Sequence, residues 1–198
     1  MAFWRKEPEG GARWVVLGLG NPGAKYAGTR HNAGAVVIEE LAARLGSKLK
    51  SHKSGCLVAE GTIGGEPAVV ARPAGYMNES GRPARQLASF YKTPVSKTIV
   101  VHDELDIPFG DIRIKEGGGT AGHNGLKSVA SHLSSKEFIR VRFGIGRPRS
   151  GDAVDYVLQR FSGAERAALP DLIDRACEAT ERIIEAGAER AMNEFNTR

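Results

Sequence analysis

Gly18-Leu19-Gly20-Asn21-Pro22-Gly23, followed eight residues on by His31-Asn32, is the stretch from which the fold can be worked out. An apolar run, Trp14-Val15-Val16-Leu17, leads into it and predicts a buried strand. The glycines at the strand's end let the backbone turn sharply and approach a ligand closely. A helical pattern starts near Asn32. One short loop therefore carries an amide, a proline of fixed φ and a histidine at a strand exit, where open α/β sheets hold their ligands.

Gly18, Gly20 and Gly23 also spell G-x-G-x-x-G, with Glu39 and Glu40 further on, as a dinucleotide fingerprint asks. The context argues against that reading. The third glycine should lie in the opening turn of a helix, but Pro22 and residues 24–30 intervene, and the two glutamates fall inside the helix rather than at a strand tip.

Outward from this loop the chain alternates strands and helices. Val36, Val37, Leu41, Ala42 and Leu45 recur at helical spacing over 32–45, and Gly46 ends the pattern. Segments 56–63 and 67–72 flank Gly64-Gly65 and predict a hairpin. A helix fits 80–91, a buried strand 98–102, a short strand 111–115 and a third helix 122–133. Over 138–145, Phe138, Arg140 and Arg142 alternate with Ile139, Val141 and Phe143, which predicts a half-exposed strand. A short helix is expected over 152–161. A long one is expected from 164 to about 192, with Leu169, Leu172, Ile173, Ala176, Ile183, Ile184 and Ala188 as its apolar stripe. The pattern predicts a single α/β domain: a twisted mixed β-sheet with helices on both faces. Residues 1–12 are expected to be a flexible N-terminal extension, and 13–198 one catalytic domain.

The 198 residues suffice for one core. No apolar run approaches the length of a membrane span, and the mixed charges of the N-terminus do not form a signal peptide. Cys56 and Cys177 have no metal spacing and are expected to be reduced thiols, hence a cytoplasmic protein. Charge is uneven. Residues 164–198 hold five arginines against eight acids, which leaves +8 on the rest of a chain of net charge +5. A basic body of that size suggests a polyanionic partner.

Polar, turn-rich clusters fall at four strand exits: Asn21 with His31, Arg72 to Asn78, His102 to Asp106, and Gly117 to Gly125. If they converge, they gather three asparagines, a histidine pair and an acid, with no serine or cysteine nucleophile at an elbow. His31, Asp103 and His123 could ligate a metal, but no paired-ligand spacing is present, and no metal is expected. A metal-free histidine–carboxylate pair suggests general-base activation of water. Asparagine amides can bind peptide groups or donate to a developing oxyanion. Hydrolysis of an acyl bond is the chemistry indicated. The same residues have plainer uses. Asn78 and Asn124 could cap the helices that follow them, Asp103 could close a turn, and His102 should point away from Asp103 because strand neighbours alternate faces. His52 and His132 sit among polar residues and are expected at the surface.

Five motifs occur in the order found in one family. Gly18 to Gly23 with Tyr26 and Thr29-Arg30-His31-Asn32-Ala33-Gly34 resembles the N-terminal signature of bacterial peptidyl-tRNA hydrolases. Tyr76-Met77-Asn78-Glu79-Ser80-Gly81, His102-Asp103-Glu104-Leu105-Asp106, Gly117-Gly118-Gly119 with Gly122 to Lys127, and Arg142 to Pro148 resemble its other motifs. The resemblance implies an enzyme that cleaves the ester between a peptide and the 3′ ribose of tRNA and so recycles tRNA from stalled translation. It implies His31 as the base, Asp103 as its orienting carboxylate, and Asn21 as the residue that distinguishes N-blocked from unblocked aminoacyl-tRNA. Asn78 and Asn124 would hold the peptide or the terminal nucleotide, Tyr26 and Tyr76 would line the channel, and His123 would support them. It implies no metal or organic cofactor, no membrane or obligate protein partner, and a monomer that meets the acceptor stem and 3′ end of peptidyl-tRNA.

Arg113, Lys115, Lys127, Arg140 and Arg142 lie near these motifs and are candidates for phosphate contacts. Gly75 stands where a threonine is common and Ala121 where a glycine is common, and neither removes a proposed chemical group. The competing reading is a non-catalytic RNA-binding scaffold like the organellar splicing factors that resemble this family.

Overall fold

Val15 and Leu17 leave one side of β1 (Trp14–Gly18), Trp14 and Val16 leave the other, and both sides are buried. A strand apolar on both faces needs helices on both faces. The computed structural model describes residues 12–196, and the extension expected at 1–12, Ala12 apart, lies outside them. After β1 come α1 (Ala33–Arg44), β2 (Lys50–Ser51), β3 (Cys56–Ile63), β4 (Glu66–Pro73) and α2 (Gly81–Phe90). Then follow β5 (Thr98–Glu104), β6 (Ile112–Glu116), α3 (Asn124–Leu133), β7 (Ile139–Gly144), α4 (Ala153–Val157), α5 (Gly163–Ala186) and α6 (Ala188–Phe195).

The described strands form one seven-stranded sheet in the order β2-β3-β4-β1-β5-β7-β6. β4, β1, β5 and β7 are parallel, while β2, β3 and β6 add antiparallel edges. Val37, Ile38 and Leu41 of α1 join Ala176, Ile183 and Ala191 of α5 and α6 on one face. Ala84 and Leu87 of α2 join Leu126 and Val129 of α3 on the other. The chain leaving β1 turns to the first face and the chain leaving β4 turns to the second. This divergence opens a crevice at the strands' C-terminal ends.

The helix α1 is seated on backbone. The Leu19 amide donates to the Val101 carbonyl (3.0 Å), and the Ala35 amide donates to the Leu19 carbonyl (3.0 Å). Such an approach needs glycine: a Cβ at Gly34 would lie 2.2 Å from the Val101 oxygen, and one at Gly18 would lie 2.2 Å from the Gly34 oxygen.

Three expectations need correction. The strand over 138–145 is not half-exposed. β7 lies between β5 and β6, and Arg140 is only 2% exposed because its guanidinium donates to the carbonyls of Gly119 (2.5 Å) and Gly118 (2.6 Å). The long C-terminal helix is two helices, broken where Gly187 takes φ 89° and ψ 157°. The helix over 152–161 is confined to α4, five residues long. No helix among the described residues is long and apolar enough to cross a membrane. Cys56 and Cys177 are free and buried, and burial pushes their thiols up to about 11 and about 12.

Candidate active site

His31 lies in a single 3₁₀ turn, Arg30–Asn32, that joins the β1 loop to α1. Asp103 is the penultimate residue of β5, beside it. The His31 Nδ1 is 3.0 Å from both carboxylate oxygens of Asp103, whose side chain is 2% exposed against 13% for His31. The His123 Nε2 is also 3.0 Å from Asp103 Oδ1, so one carboxylate serves two imidazoles. Burial alone would raise the Asp103 pKa. The electrostatic attraction of the neighbouring His123 and hydrogen bonds from His123 and His31 outweigh it and hold the carboxyl well below the usual carboxylate range. Asp103 is thus an acceptor only, and the hydrogen-bond network assigns the protons facing it to His31 Nδ1 and His123 Nε2. His31 Nε2 then keeps its lone pair, directed away from the carboxylate.

His123 is the N-cap of α3, its Nδ1 accepting from the Leu126 amide (3.3 Å). This capping bond supports the same tautomer. The ligand atoms of His31, Asp103 and His123 lie within 4.8 Å of one another, close enough for a cation by count. Both imidazole nitrogens in that set, however, carry the protons shared with Asp103. A metal would have to displace both, and the tautomer it needs would cost His123 its capping bond.

The four expected loops converge. Asn32 is the joint between two halves of the first: its Oδ1 accepts from the Asn21 amide (2.8 Å) and its Nδ2 donates to the Asn21 carbonyl (2.9 Å). Asn21 Oδ1 then accepts from the Met77 amide (2.9 Å), which fixes the carboxamide and leaves its Nδ2 as donor. Met77 in turn sits against Gly125, where a Cβ would lie 2.5 Å from its Sδ. The neighbouring Asn78 and Asn124 are exposed. Neither acts as a helix cap: Ser80 and His123 hold those positions. Tyr26 and Tyr76 meet edge to face, ring centres 6.4 Å apart. Ala121 takes φ 46°, the left-handed conformation that a glycine adopts without strain.

Two residues beside the cluster carried no role in the sequence reading. Arg30 is buried, donates to the Arg160 carbonyl (3.0 Å) and Glu165 (2.7 Å), and lies under the Tyr156 ring. It thereby ties the start of α5 to the residue next to His31. The carboxylate of Glu165, also bound to the Ser162 amide in a capping box, was the available signal for that helix start. His102 precedes Asp103 on β5; its Nδ1 donates to the Asp103 carbonyl (2.7 Å) and its ring lies 5.2 Å from that of His123, so both β5 neighbours meet His123.

Burial, aided by the unfavourable placing of a second imidazolium beside His123, pushes the His102 pKa from 6.5 down to about 3. The folded value lies below the unfolded one, so this stabilisation is full above pH 6.5 and is lost as pH falls towards 3. Between pH 7 and pH 5 the loss amounts to about 2 kcal/mol. We expect thermal melting to drop over that interval and the drop to shrink in His102→Gln. An equal drop in both proteins would show that His102 is not the source.

The cations divide. Arg142 is directly opposite Arg113 across β6 and β7, and Lys115 is opposite Arg140. Like charges facing one another are unfavourable without an anion between them. Burial lowers the Arg142 pKa, the Glu104 charge opposes this, and Arg113 lowers it further. Lys115 and Lys127 are exposed, and Arg113 is half-exposed with Asp111 at 3.4 Å. Arg140 differs, since its guanidinium holds the Gly118–Gly119 loop from inside.

A family model described as peptidyl-tRNA hydrolase matches residues 15–198. The chain belongs to the peptidyl-tRNA hydrolase family. It is 52% identical over 190 residues to a peptidyl-tRNA hydrolase of Frankia casuarinae, covering 96% of each chain. It is 54% identical over 181 residues to one from Mycobacterium tuberculosis, covering 90% of this chain and 95% of that one. Among solved structures, peptidyl-tRNA hydrolase from Acinetobacter baumannii superposes with a TM-score of 0.87 at 36% identity, covering 96% of this chain and 98% of that one. The family's single α/β domain and mixed sheet are those described above.

Proposed function

We propose that this chain hydrolyses the ester joining a peptide, or an N-blocked aminoacyl group, to the 3′ ribose of tRNA. The observation that carries this is His31 with its Nδ1 proton held by Asp103 and its Nε2 free for water. Water attacks the ester carbonyl while Nε2 takes its proton. The imidazolium formed is favoured by the buried carboxylate. Collapse of the tetrahedral intermediate breaks the bond to the ribose 3′ oxygen, which receives the proton back from Nε2.

The amides supply selectivity. Asn21, fixed through its oxygen, presents Nδ2 to the peptide. An N-blocked substrate offers a carbonyl acceptor there, whereas an unblocked α-ammonium offers only donors. Asn78 and Asn124 hold the peptide and the terminal nucleotide, with Tyr26 and Tyr76 along the channel. Because these contacts address backbone groups, any peptide side chain is accepted. Arg113, Lys115, Arg142 and Lys127 hold phosphates of the acceptor stem, contacts that carry no sequence information. Every catalytic group comes from one chain, so a monomer suffices. The buried thiols and a translation substrate fit work in the cytoplasm. No observation favours the non-catalytic RNA-binding scaffold, which would not need His31 and Asp103 so arranged.

The test is release of N-acetyl-aminoacyl groups from tRNA, with unblocked aminoacyl-tRNA as control. Hydrolysis of the blocked ester alone is expected. Folded protein that binds tRNA without cleaving it would overturn the enzyme reading.

A further inference from the structure

On the α2 side of the molecule lies an open groove of about 660 Å³, larger than the depression of about 100 Å³ at His31 and Asp103. Its walls include Lys53 from the turn before β3, Arg82 and Arg85 from α2, and His132 from α3, with His52, Phe90 and three uncharged polar residues between them. No acidic side chain lines it. Among the described residues none of Lys53, Arg82 and Arg85 has an ion pair, although much of the arginine surface elsewhere is paired. Arg13 meets Glu60, Arg44 meets Asp174 and Glu181, Arg147 meets Asp106, and Arg182 meets Glu194. Three unneutralised cations in one concavity are an electrostatic cost unless an anion fills it.

The aromatic character is equally specific. Phe90 is 47% exposed, with the Lys53 ammonium 4.3 Å from its ring centre and the His52 ring edge-on at 4.7 Å. Free cations around an exposed ring form the surface on which a nucleic-acid backbone and its bases settle.

The groove is also connected to the site. The helix α2 begins just after the Met77–Glu79 turn, and α3 runs from the cap His123 to His132. At about 1.5 Å per residue, His132 lies some 14 Å along α3 from His123. Across the sheet, β3 and β7 are four strand spacings apart, about 19 Å. The turn before β3 that supplies Lys53 and the β6–β7 cations therefore lie towards opposite edges of the sheet.

We infer that this groove binds a second stretch of the substrate's phosphodiester backbone, away from the reacting ester, with Lys53, Arg82 and Arg85 as its phosphate contacts. The inference rests on the proposed tRNA substrate. RNA is favoured over an acidic peptide because the polyanion is common to every substrate molecule and peptide charge is not.

The test compares wild type with the triple variant Lys53→Gln/Arg82→Gln/Arg85→Gln on two substrates: full-length N-acetyl-aminoacyl-tRNA and the same ester on a CCA trinucleotide. All three side chains are exposed, so the fold should be retained. We expect KM for the full-length substrate to rise about tenfold with kcat retained, and the trinucleotide ester to be unaffected. The log–log salt dependence of deacylated tRNA binding should flatten by about 2 to 3 in slope. An unchanged KM and salt slope, with hydrolysis intact, overturns the groove and leaves the enzyme. A change seen only with acidic peptides on either RNA overturns it in favour of a peptide site. Wild type that cleaves neither ester overturns the function on which it rests.

Discussion

Replacing His31 by alanine lowers kcat on N-blocked aminoacyl-tRNA by roughly 10²–10⁴-fold, the usual contribution of a positioned general base. The size follows from what the side chain touches. His31 Nδ1 is held by Asp103 at 3.0 Å, which leaves Nε2 as the one basic nitrogen of the cluster free to reach water. His123 cannot replace it, because its Nε2 already faces Asp103 and its Nδ1 receives the Leu126 amide. Water attacking without a base must lose its proton to solvent. KM should change little, since the amides and phosphate contacts are untouched. Steady-state kinetics on matched, folded preparations check this. Full activity in the variant would remove His31 from its role and leave the family assignment standing.

The second large effect is on folding. Gly34→Ala is expected to destabilise the protein by at least about 3 kcal/mol, at the upper end of overpacking and beyond ordinary surface changes. The added Cβ would meet the Val101 oxygen at 2.2 Å and the Leu19 amide nitrogen at 2.7 Å. Both are backbone atoms held in place by the sheet, so no rotamer change relieves the clash. Either α1 lifts from β1 and β5 or the variant does not fold. For a domain of this size the melting temperature should fall by about 10 °C. Activity should fall with it, since His31 sits in the turn that feeds α1. A shift smaller than about 2 °C would show that the helix can move outward without cost.

What the sequence could show, and what it could not, divides along local and non-local lines. The strand into Gly18 and the hairpin around Gly64-Gly65 are written in short-range pattern, and the structure places them as expected; the turns bearing Asn21, His31 and Asn78, the end of β5 with Asp103 and the start of α3 with Asn124 come next to strand exits, as the turn-rich clusters suggested. Arg140 misled because alternation counts a charged residue as outward. Its guanidinium is satisfied by the carbonyls of Gly118 and Gly119, some twenty residues earlier, and no periodicity encodes that. The break at Gly187 was hidden by apolar spacing that continues through it, since an isolated glycine costs a helix only about 1 kcal/mol. Asn32 and Arg30 stood inside a recognised motif, yet their partners Asn21, Arg160 and Glu165 emerge only when the chain closes. The groove beside α2 was divided among His52, Arg82 and His132, separate in sequence and each ordinary alone.

The state of the two cysteines has a practical consequence. Both thiols are sealed in the core and stay protonated at neutral pH, so a thiolate-directed reagent finds the native surface blank. A single cysteine introduced at Val154 (63% exposed, on α4 beside the cleft) would then be the sole point of attachment for a fluorophore or spin label. The mouth of the cleft that holds His31 and Asp103 can thus be watched as substrate is added to an otherwise unaltered chain.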